Sequence, residues 1–412
     1  MPRPQPQPDN QAVPFSSALP RRSFLQVSTA ASAALAFRFM TEPLLARAQV
    51  PMAASHDAIK INQNENPLGP CQAARAAVAA MIPDAGRYQL GLDEELPTTL
   101  QNMMGLKPDY VSVYAGSSAP LHYTVLAFTS STRSYVTADP GYEAGMHSAS
   151  ISGARVLKVP LTETRAHDVK AMLTAAPDAG VFYVCTPNNP TGTLTPHSDV
   201  EYLLEHKPKG SIVLVDEAYI HFSDAPSVID LVQADKDVIL LRTFSKIYGM
   251  AGLRCGLAIA RPDLLAKLEY FRGWNAMPVP ALVAALASLK DPQLVPERKA
   301  LNATVRAATF QWLDKHGYTY IPSESNFFLL DTKRPGKDAI EAMARQNVII
   351  GRVWPSMPTW VRITVGTRAE MDQFETAFKR VMDGAVVGSV TQSRQQSSWF
   401  HLDGLAMPVR RG

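Results

Sequence analysis

The sequence feature that most constrains the fold is a series of seven short apolar segments, each separated from the next by a longer stretch. Most of the segments are continuous runs of β-branched and aromatic residues, which is typical of strands buried on both faces of a parallel sheet. Because several of the intervening stretches have a helical pattern, we predict a wound α/β domain. The segments are VSVYA, SYVTA, ARVLKV, VFYVC, SIVLVD, DVILLRTF and GLAIA.

Residues 292–383 have a different pattern and predict a smaller α+β unit. A long helix is expected at Glu297–His316, followed by short strands and by helices near Gly336–Gln346 and Ala369–Met382. A chain of 412 residues is long enough for two domains of ordinary size. We expect five parts: a signal at 1–48, an N-terminal arm that contributes to the small domain at 49–84, a large ligand-binding domain at 85–289, a small domain at 290–384, and a mostly disordered tail at 385–412.

The first residues resemble a twin-arginine export signal. Arg21 and Arg22 precede Ser-Phe-Leu, an Ala/Ser-rich run follows to Phe37, and Ala46 to Ala48 form an A-x-A cleavage pattern. This pattern predicts that the twin-arginine machinery exports the protein to the periplasm. If the signal is not used, the protein would be cytoplasmic. The alternative is a disordered arm with a chance arginine pair. The apolar run is too short to span a bilayer, so we expect no stable membrane association.

Composition excludes several classes of partner. The formal net charge is only +3, and no Lys/Arg run occurs after the first twenty-odd residues, so nucleic acid is not expected. The three cysteines form no CxxC motif or Cys/His cluster, which predicts no metal site and favours small buried apolar residues. No G-x-G-x-x-G follows a predicted strand, which argues against a dinucleotide-binding enzyme.

Polar residues follow several of the predicted strands, and ligands of open α/β sheets bind beyond those carboxyl ends. Gly116 allows a tight turn before Ser117 and Ser118, which suit a helix start that binds phosphate. Asn189 lies in a proline-bounded turn and offers an amide donor, although a rigid turn alone would explain it. Asp216 ends a fully apolar strand, so it is either a helix cap or the partner of a buried cationic nitrogen.

A lysine follows the next strand. Lys246 is followed by mostly apolar residues, and burial makes a lysine amine nucleophilic by lowering its pKa. Arg254 could neutralise a phosphate. The ligand that uses the whole set is pyridoxal phosphate, with its aldehyde on the lysine, its ring nitrogen on the aspartate, and its phosphate at the helix start.

Five motifs resemble histidinol-phosphate aminotransferase and its relatives among the fold-type-I pyridoxal-phosphate enzymes. They are NENPLGP, TPNNPTGT, VDEAYIHF, RTFSKIYGMAGLRCG and WVRITVGT, within the span from Ile61 to Met382. The resemblance implies a large domain with a mostly parallel wound sheet and a smaller α+β domain. It also implies a homodimer with sites at the subunit interface. The implied reaction moves an amino group between an amino acid and a 2-oxo acid by a ping-pong route, through a Schiff base on Lys246.

The resemblance also assigns roles to single residues. Lys246 would be the catalytic base, Asn189 and Tyr219 would bind the ring hydroxyl of the cofactor, and Tyr142 would stack on its ring. The full cofactor-binding set would be Tyr88 (reaching the partner subunit's cofactor), Ser117, Ser118, Tyr142, Asn189, Asp216, Tyr219, Thr243, Ser245, Lys246 and Arg254. The substrate-binding set would be Arg362, which clamps the carboxylate, with Asn66 and Leu68.

The sequence departs from the family pattern at three motifs. Leu68 replaces a tyrosine, Gln89-Leu90 replaces Pro-Asp after Tyr88, and the phosphate turn lacks acidic residues after Ser117. The first change and the export signal argue against the histidine-biosynthesis substrate. Two alternatives stay open: an amino-acid decarboxylase, oxidase or cyclase on the same scaffold, and an exported cofactor-binding protein without catalysis. The amino donor and acceptor are not identified by the sequence.

Overall fold

A central seven-stranded sheet organises the computed structural model, which describes residues 57–273 and 276–384. All seven predicted segments are strands of this sheet, which confirms the α/β class. The strands of the described residues are, in chain order, β1 (Ile59–Ile61), β2 (Val111–Tyr114), β3 (Ser134–Asp139), β4 (Val156–Pro160), β5 (Ala179–Cys185), β6 (Ile212–Asp216), β7 (Val238–Thr243), β8 (Gly256–Ile259), β9 (Tyr320–Ile321), β10 (Phe327–Asp331), β11 (Val348–Ile350) and β12 (Trp360–Thr364).

The strand order of the large sheet is β2-β8-β7-β6-β5-β3-β4. Only β8 runs antiparallel to its neighbours in this sheet; the other pairs are parallel. The connection from β7 to β8 contains no helix, which suits an antiparallel return, since parallel crossovers usually need one. In the parallel part, Cys185 lies opposite Asp216, and Asp216 lies opposite Leu241. The carboxyl ends of β5, β6 and β7 therefore meet at one edge.

Helices cover both faces of this sheet, which explains why its strands are apolar throughout. Val213 and Val215 of β6 pack on one face, while Ile212 and Leu214 pack on the other. The helices of the described residues are α1 (Gln72–Met81), α2 (Gly91–Met103), α3 (Ser118–Phe128), α4 (Ala144–Ile151), α5 (Val169–Ala175), α6 (His197–His206), α7 (Ile229–Gln233), α8 (Pro262–Arg272), α9 (Val279–Leu289), α10 (Leu294–Lys315), α11 (Gly336–Ala344) and α12 (Arg368–Met382); two 3₁₀ helices lie at Ile82–Asp84 and Ile220–Phe222.

The C-terminal part contains two small sheets. Strands β9, β10 and β12 form an antiparallel sheet, and β1 pairs in parallel with β11. Helices α10, α11 and α12 pack with these strands around a separate apolar core that includes Phe328, Phe374 and Phe378. Helix α12 begins with a capping box between Thr367 and Glu370, which satisfies its first backbone N–H groups. The five boundaries expected from the sequence stay a prediction.

The described part of the chain contains neither a membrane-spanning helix nor a metal-binding cluster. Among residues 57–273 and 276–384, no helix combines the length and apolar character of a membrane span. The same residues contain no cluster of His, Cys, Asp and Glu that could bind a metal ion, and the three cysteines are unpaired. The expected export signal and C-terminal tail lie outside the described residues.

Candidate active site

An open cavity of about 690 Å³ lies at the carboxyl edge of β5, β6 and β7. Every residue that we predicted to bind the cofactor lines this cavity, apart from Tyr88. The predicted residues in its lining are Ser117, Ser118, Tyr142, Asn189, Asp216, Tyr219, Thr243, Ser245, Lys246 and Arg254. The topology of the sheet therefore brings together side chains that are up to 137 positions apart in the sequence.

Lys246 lies in the connection after β7, and its side chain is only 8% exposed. Its Nζ donates a hydrogen bond to the backbone oxygen of Gln63 at 3.2 Å and lies 5.5 Å from the centre of the Tyr219 ring. The next residue, Ile247, is held from two sides, because its backbone oxygen accepts from Asn66 Nδ2 at 3.0 Å and from Arg298 Nη1 at 2.9 Å. The N-terminal arm and α10 thus fix the backbone next to the lysine, which lines the cavity.

Asp216 is the last residue of β6 and is buried. Its Oδ2 accepts a hydrogen bond from the Tyr183 hydroxyl at 2.9 Å, and its Oδ1 accepts one from the Ala218 backbone N–H at 3.1 Å. Burial raises the pKa of this carboxyl to about 6, although both hydrogen bonds and the Lys246 charge lower it. A carboxylate at this depth is stabilised by a cationic ligand atom in the cavity.

The turn before α3 is closely packed against Arg254. Gly116 has φ +91°, and a Cβ there would lie 2.0 Å from Arg254 Nη2. The guanidinium donates to Ser245 Oγ at 3.2 Å and to the Ala251 backbone oxygen at 2.9 Å, and burial lowers its pKa. None of the described carboxylates forms an ion pair with it. The backbone N–H groups of Ser117 and Ser118 precede the first intrahelical bond of α3, so this corner offers an anion site.

Asn189 and Tyr219 of the cavity wall belong to a hydrogen-bonded group of polar side chains. Asn189 Oδ1 accepts from Arg362 Nη1 at 2.8 Å, and Arg362 Nη2 donates to the Asn62 backbone oxygen at 2.9 Å. The Tyr219 hydroxyl accepts from Asn64 Nδ2 at 3.0 Å. The ring of Tyr142 lines the same cavity. Amide and phenol groups are therefore held in fixed positions near Lys246.

Four predicted residues do not line this cavity. Tyr88 is 79% exposed and lies in a different surface depression beside Met277. Arg362 is fully buried behind Asn189. Asn66 and Leu68 line a neighbouring groove; Asn66 fixes Ile247, and Leu68 is partly exposed. Their roles towards a substrate stay predictions.

Sequence reasoning missed three contributors. The backbone oxygen of Gln63 leaves no signature in a sequence. Asn64 was visible as the second asparagine of the arm, but its contact with Tyr219 spans 155 positions. Tyr183 lies within a strand expected to be uniformly apolar, and its hydroxyl was the only indication that this position faces a polar group.

The residues present fit pyridoxal phosphate. Lys246 offers an amine for the aldehyde, and Asp216 offers a buried carboxylate for the ring nitrogen. The corner formed by Gly116, Ser245 and Arg254 offers a cation and backbone amides for the phosphate. Each charged part of the cofactor has a complementary group in one cavity.

Comparisons with known proteins agree with this chemistry. The model of the family described as aminotransferase class I and II matches residues 56–378. A histidinol-phosphate aminotransferase from Symbiobacterium thermophilum is 36% identical over 330 residues, which cover 79% of this chain and 91% of that protein. An aromatic amino acid aminotransferase from Cutibacterium acnes is 32% identical over 337 residues, which cover 80% of this chain and 95% of that protein.

A solved structure shares the fold. The crystal structure of histidinol-phosphate aminotransferase from Sinorhizobium meliloti in complex with pyridoxal-5'-phosphate aligns with a TM-score of 0.74 at 24% identity. The alignment covers 85% of this chain and 97% of that one. This neighbour, whose structure contains pyridoxal-5'-phosphate, supports the fold of this chain.

We expect Gly256→Ala to weaken cofactor binding about tenfold or more, because an added Cβ would lie 2.2 Å from the Ser117 backbone nitrogen and displace the anion site. Titrating the cofactor-free protein with pyridoxal phosphate measures the effect. The matched control is Gly252→Ala, since a Cβ there meets nothing within 4 Å. Equal dissociation constants for the two variants would contradict the placement of the phosphate at this turn.

Proposed function

The chain belongs to the aminotransferase class I and II family and is a pyridoxal-phosphate-dependent aminotransferase, and we propose that Lys246 moves the proton in both halves of its reaction. The observation that carries this proposal is the convergence of Lys246 and Asp216, 30 positions apart, on one cavity. An amine and a carboxylate in those positions match the two ends of the same cofactor.

When bound, pyridoxal phosphate supplies an aldehyde that takes up amino groups and a ring that withdraws electrons from the substrate α-carbon. In the ping-pong route one amino acid leaves as a 2-oxo acid, and a second 2-oxo acid then leaves as an amino acid. Lys246 Nζ removes the α-proton in the first half and returns one to the α-carbon in the second. Its hydrogen bond to Gln63 and its limited exposure hold Nζ in the wall of the cavity.

The other residues of the site would orient the cofactor and stabilise its charged groups. Asp216 would accept from the protonated ring nitrogen, which would keep the ring electron-withdrawing. Arg254, Ser245 and the backbone N–H groups of Ser117 and Ser118 would hold the phosphate. Asn189 and Tyr219 would donate to the ring hydroxyl. These roles are supported by the positions of the side chains in the cavity wall.

For the substrate we propose an α-amino acid with a free carboxylate, not a phosphate ester. Arg362 donates to Asn189, which lines the cavity, and this contact supports our proposal that the guanidinium binds the substrate carboxylate. Leu68 occupies the position at which the histidinol-phosphate aminotransferase motif has a tyrosine. The change removes a phenol hydroxyl from the N-terminal arm beside the site. The similarity to an aromatic amino acid aminotransferase is compatible with this class.

We predict that L-amino acids abolish the visible absorption of the loaded enzyme, that 2-oxo acids restore it, and that L-histidinol phosphate has little effect. Lys246→Ala should lower the rate of both half-reactions by at least about 10² to 10⁴, because the proton transfer loses its base. Stopped-flow absorption with a panel of aromatic, aliphatic and acidic amino donors measures the absorption changes and the rates of the two half-reactions.

Three outcomes would contradict these proposals. Preference for L-histidinol phosphate would overturn the substrate class. Amine consumption that needs no 2-oxo acid acceptor would favour the decarboxylase or oxidase alternative. Wild-type rates in the Lys246→Ala variant would remove the lysine from the mechanism.

A homodimer is the second part of the proposal. Three apolar side chains, Ile82, Tyr88 and Leu90, are more than half exposed on one short segment. They lie at or beside a depression lined by Met277 and Pro280. An exposed apolar patch of this kind is typical of an interface. In a dimer, Tyr88 would reach the phosphate in the partner subunit.

Light scattering of the purified protein should therefore give the mass of two chains. Tyr88→Phe should weaken cofactor binding about tenfold, since a hydrogen bond to a charged group is lost. Tyr270→Phe is the matched control, because Tyr270 is equally exposed but is assigned no role. A single-chain mass, or the same affinity in both variants, would contradict the dimer site.

The third part is export by the twin-arginine machinery, for which the support is the sequence from Arg21 to Ala48. This route carries folded proteins, so the enzyme would load its cofactor before export. We predict that replacing Arg21 and Arg22 together by Lys retains the enzyme in the cytoplasm, whereas Arg38→Lys does not. Fractionation of cells that produce each form measures this. Unprocessed wild-type enzyme in the cytoplasm would contradict export.

A further inference from the structure

Tyr183 is a buried tyrosine of β5 that neither the sequence motifs nor the proposed mechanism uses. Its side chain is 0% exposed, and its hydroxyl donates to Asp216 Oδ2 at 2.9 Å. In the parallel pairing of β5 with β6, Tyr183 lies opposite Leu214, so Asp216 is two residues further along β6 on the same face. The register of the sheet therefore brings the phenol to the carboxylate.

The two contacts of Asp216 fix both of its oxygen atoms. Oδ2 is held by Tyr183, and Oδ1 is held by the Ala218 backbone N–H. A carboxylate oxygen accepts more than one hydrogen bond, so either oxygen can still accept from a ligand nitrogen in the cavity. With its plane set from two directions, the carboxylate cannot rotate freely.

A neighbouring tyrosine shows that this contact is not a general property of the cluster. Tyr135 of β3 is equally buried, and its ring centre is 6.2 Å from that of Tyr183. Its hydroxyl does not donate to Asp216. Both tyrosines belong to one apolar cluster, and of the two only Tyr183 donates to Asp216.

We propose that Tyr183 is a positioning residue, whose hydroxyl keeps Asp216 ionised and oriented toward the ring nitrogen of the cofactor. The inference rests on the proposed role of Asp216 and deepens it. A hydrogen bond to the charged form of a buried carboxyl stabilises that form. Since the ring nitrogen needs an ionised partner, the phenol acts on the cofactor through Asp216.

The pH dependence follows from the groups around Asp216. Burial raises its pKa to about 6; the bond from Tyr183 and the charge of Lys246 lower it, and Glu217 raises it. The remaining titratable neighbours, Cys185 and Tyr135, are neutral at these pH values, because burial raises both of their pKa values. Asp216 is ionised above about pH 6 and holds a proton below it. Without the phenol this boundary moves to higher pH.

The test is cofactor affinity as a function of pH, measured by absorption on the full-length protein for wild type, Tyr183→Phe and Tyr135→Phe. Tyr183→Phe should weaken pyridoxal phosphate binding about tenfold near neutral pH and move the acidic limit of binding up by about one pH unit. Tyr135→Phe also removes a phenol oxygen from this cluster. Its cofactor affinity and its acidic limit of binding should both match those of the wild type.

A double variant separates a positioning role from a loss of packing. In an Asp216→Asn background no carboxylate is left to ionise, so adding Tyr183→Phe should change the affinity less than about twofold. Should Tyr183→Phe fold poorly, 3-fluorotyrosine at position 183 is the second probe: a stronger donor should move the acidic limit to lower pH.

The inference would be overturned if Tyr183→Phe left the acidic limit of cofactor binding unchanged, or if Tyr135→Phe shifted this limit equally. It would also be overturned if Tyr183→Phe weakened binding in the Asp216→Asn background as much as it does in the wild type. These outcomes differ from a failure of the proposed function, in which the wild-type protein itself would not bind pyridoxal phosphate.

Discussion

The parallel pairing of β5, β6 and β7 is the constraint on which the site depends. It places Cys185 opposite Asp216 and Asp216 opposite Leu241, so the chain leaves all three strands at one edge of the sheet. The connection after β7 then returns through Lys246 to the antiparallel strand β8 and carries Arg254 with it. A shift of one residue in this register would turn the Asp216 side chain to the other face of the sheet.

The second principle is the matching of buried charge. Lys246, Asp216 and Arg254 are each withdrawn from water at different points of one cavity, at a cost that rises with burial. The protein offsets this cost with backbone and hydroxyl partners, such as Gln63 for Lys246 and Tyr183 for Asp216. The three charged groups together are complementary to a ligand with a carbonyl carbon, a cationic nitrogen and an anion in a fixed arrangement.

Much of this arrangement was predictable from the sequence, for physical reasons. Continuous β-branched runs indicated strands buried on both faces, and polar residues after VFYVC, SIVLV and DVILLRTF marked the strand ends where ligands bind. The tertiary partners were not predictable. The carbonyl of Gln63 has no sequence signature, and the Asn64–Tyr219 contact depends on how the arm folds over the sheet. Asn66, which we expected at the substrate, also donates to the backbone oxygen of Ile247 beside the lysine, and the sequence did not indicate this contact.

The central claim is that the cofactor forms its bond with Lys246. Reducing the loaded enzyme with borohydride makes that bond permanent, and peptide mass spectrometry then locates the attached group. We predict that the group lies on Lys246, in the peptide that contains Thr243 to Arg254, and on no other lysine in stoichiometric amount. Attachment at a different lysine, or no stable attachment to a protein that still transfers amino groups, would contradict this account.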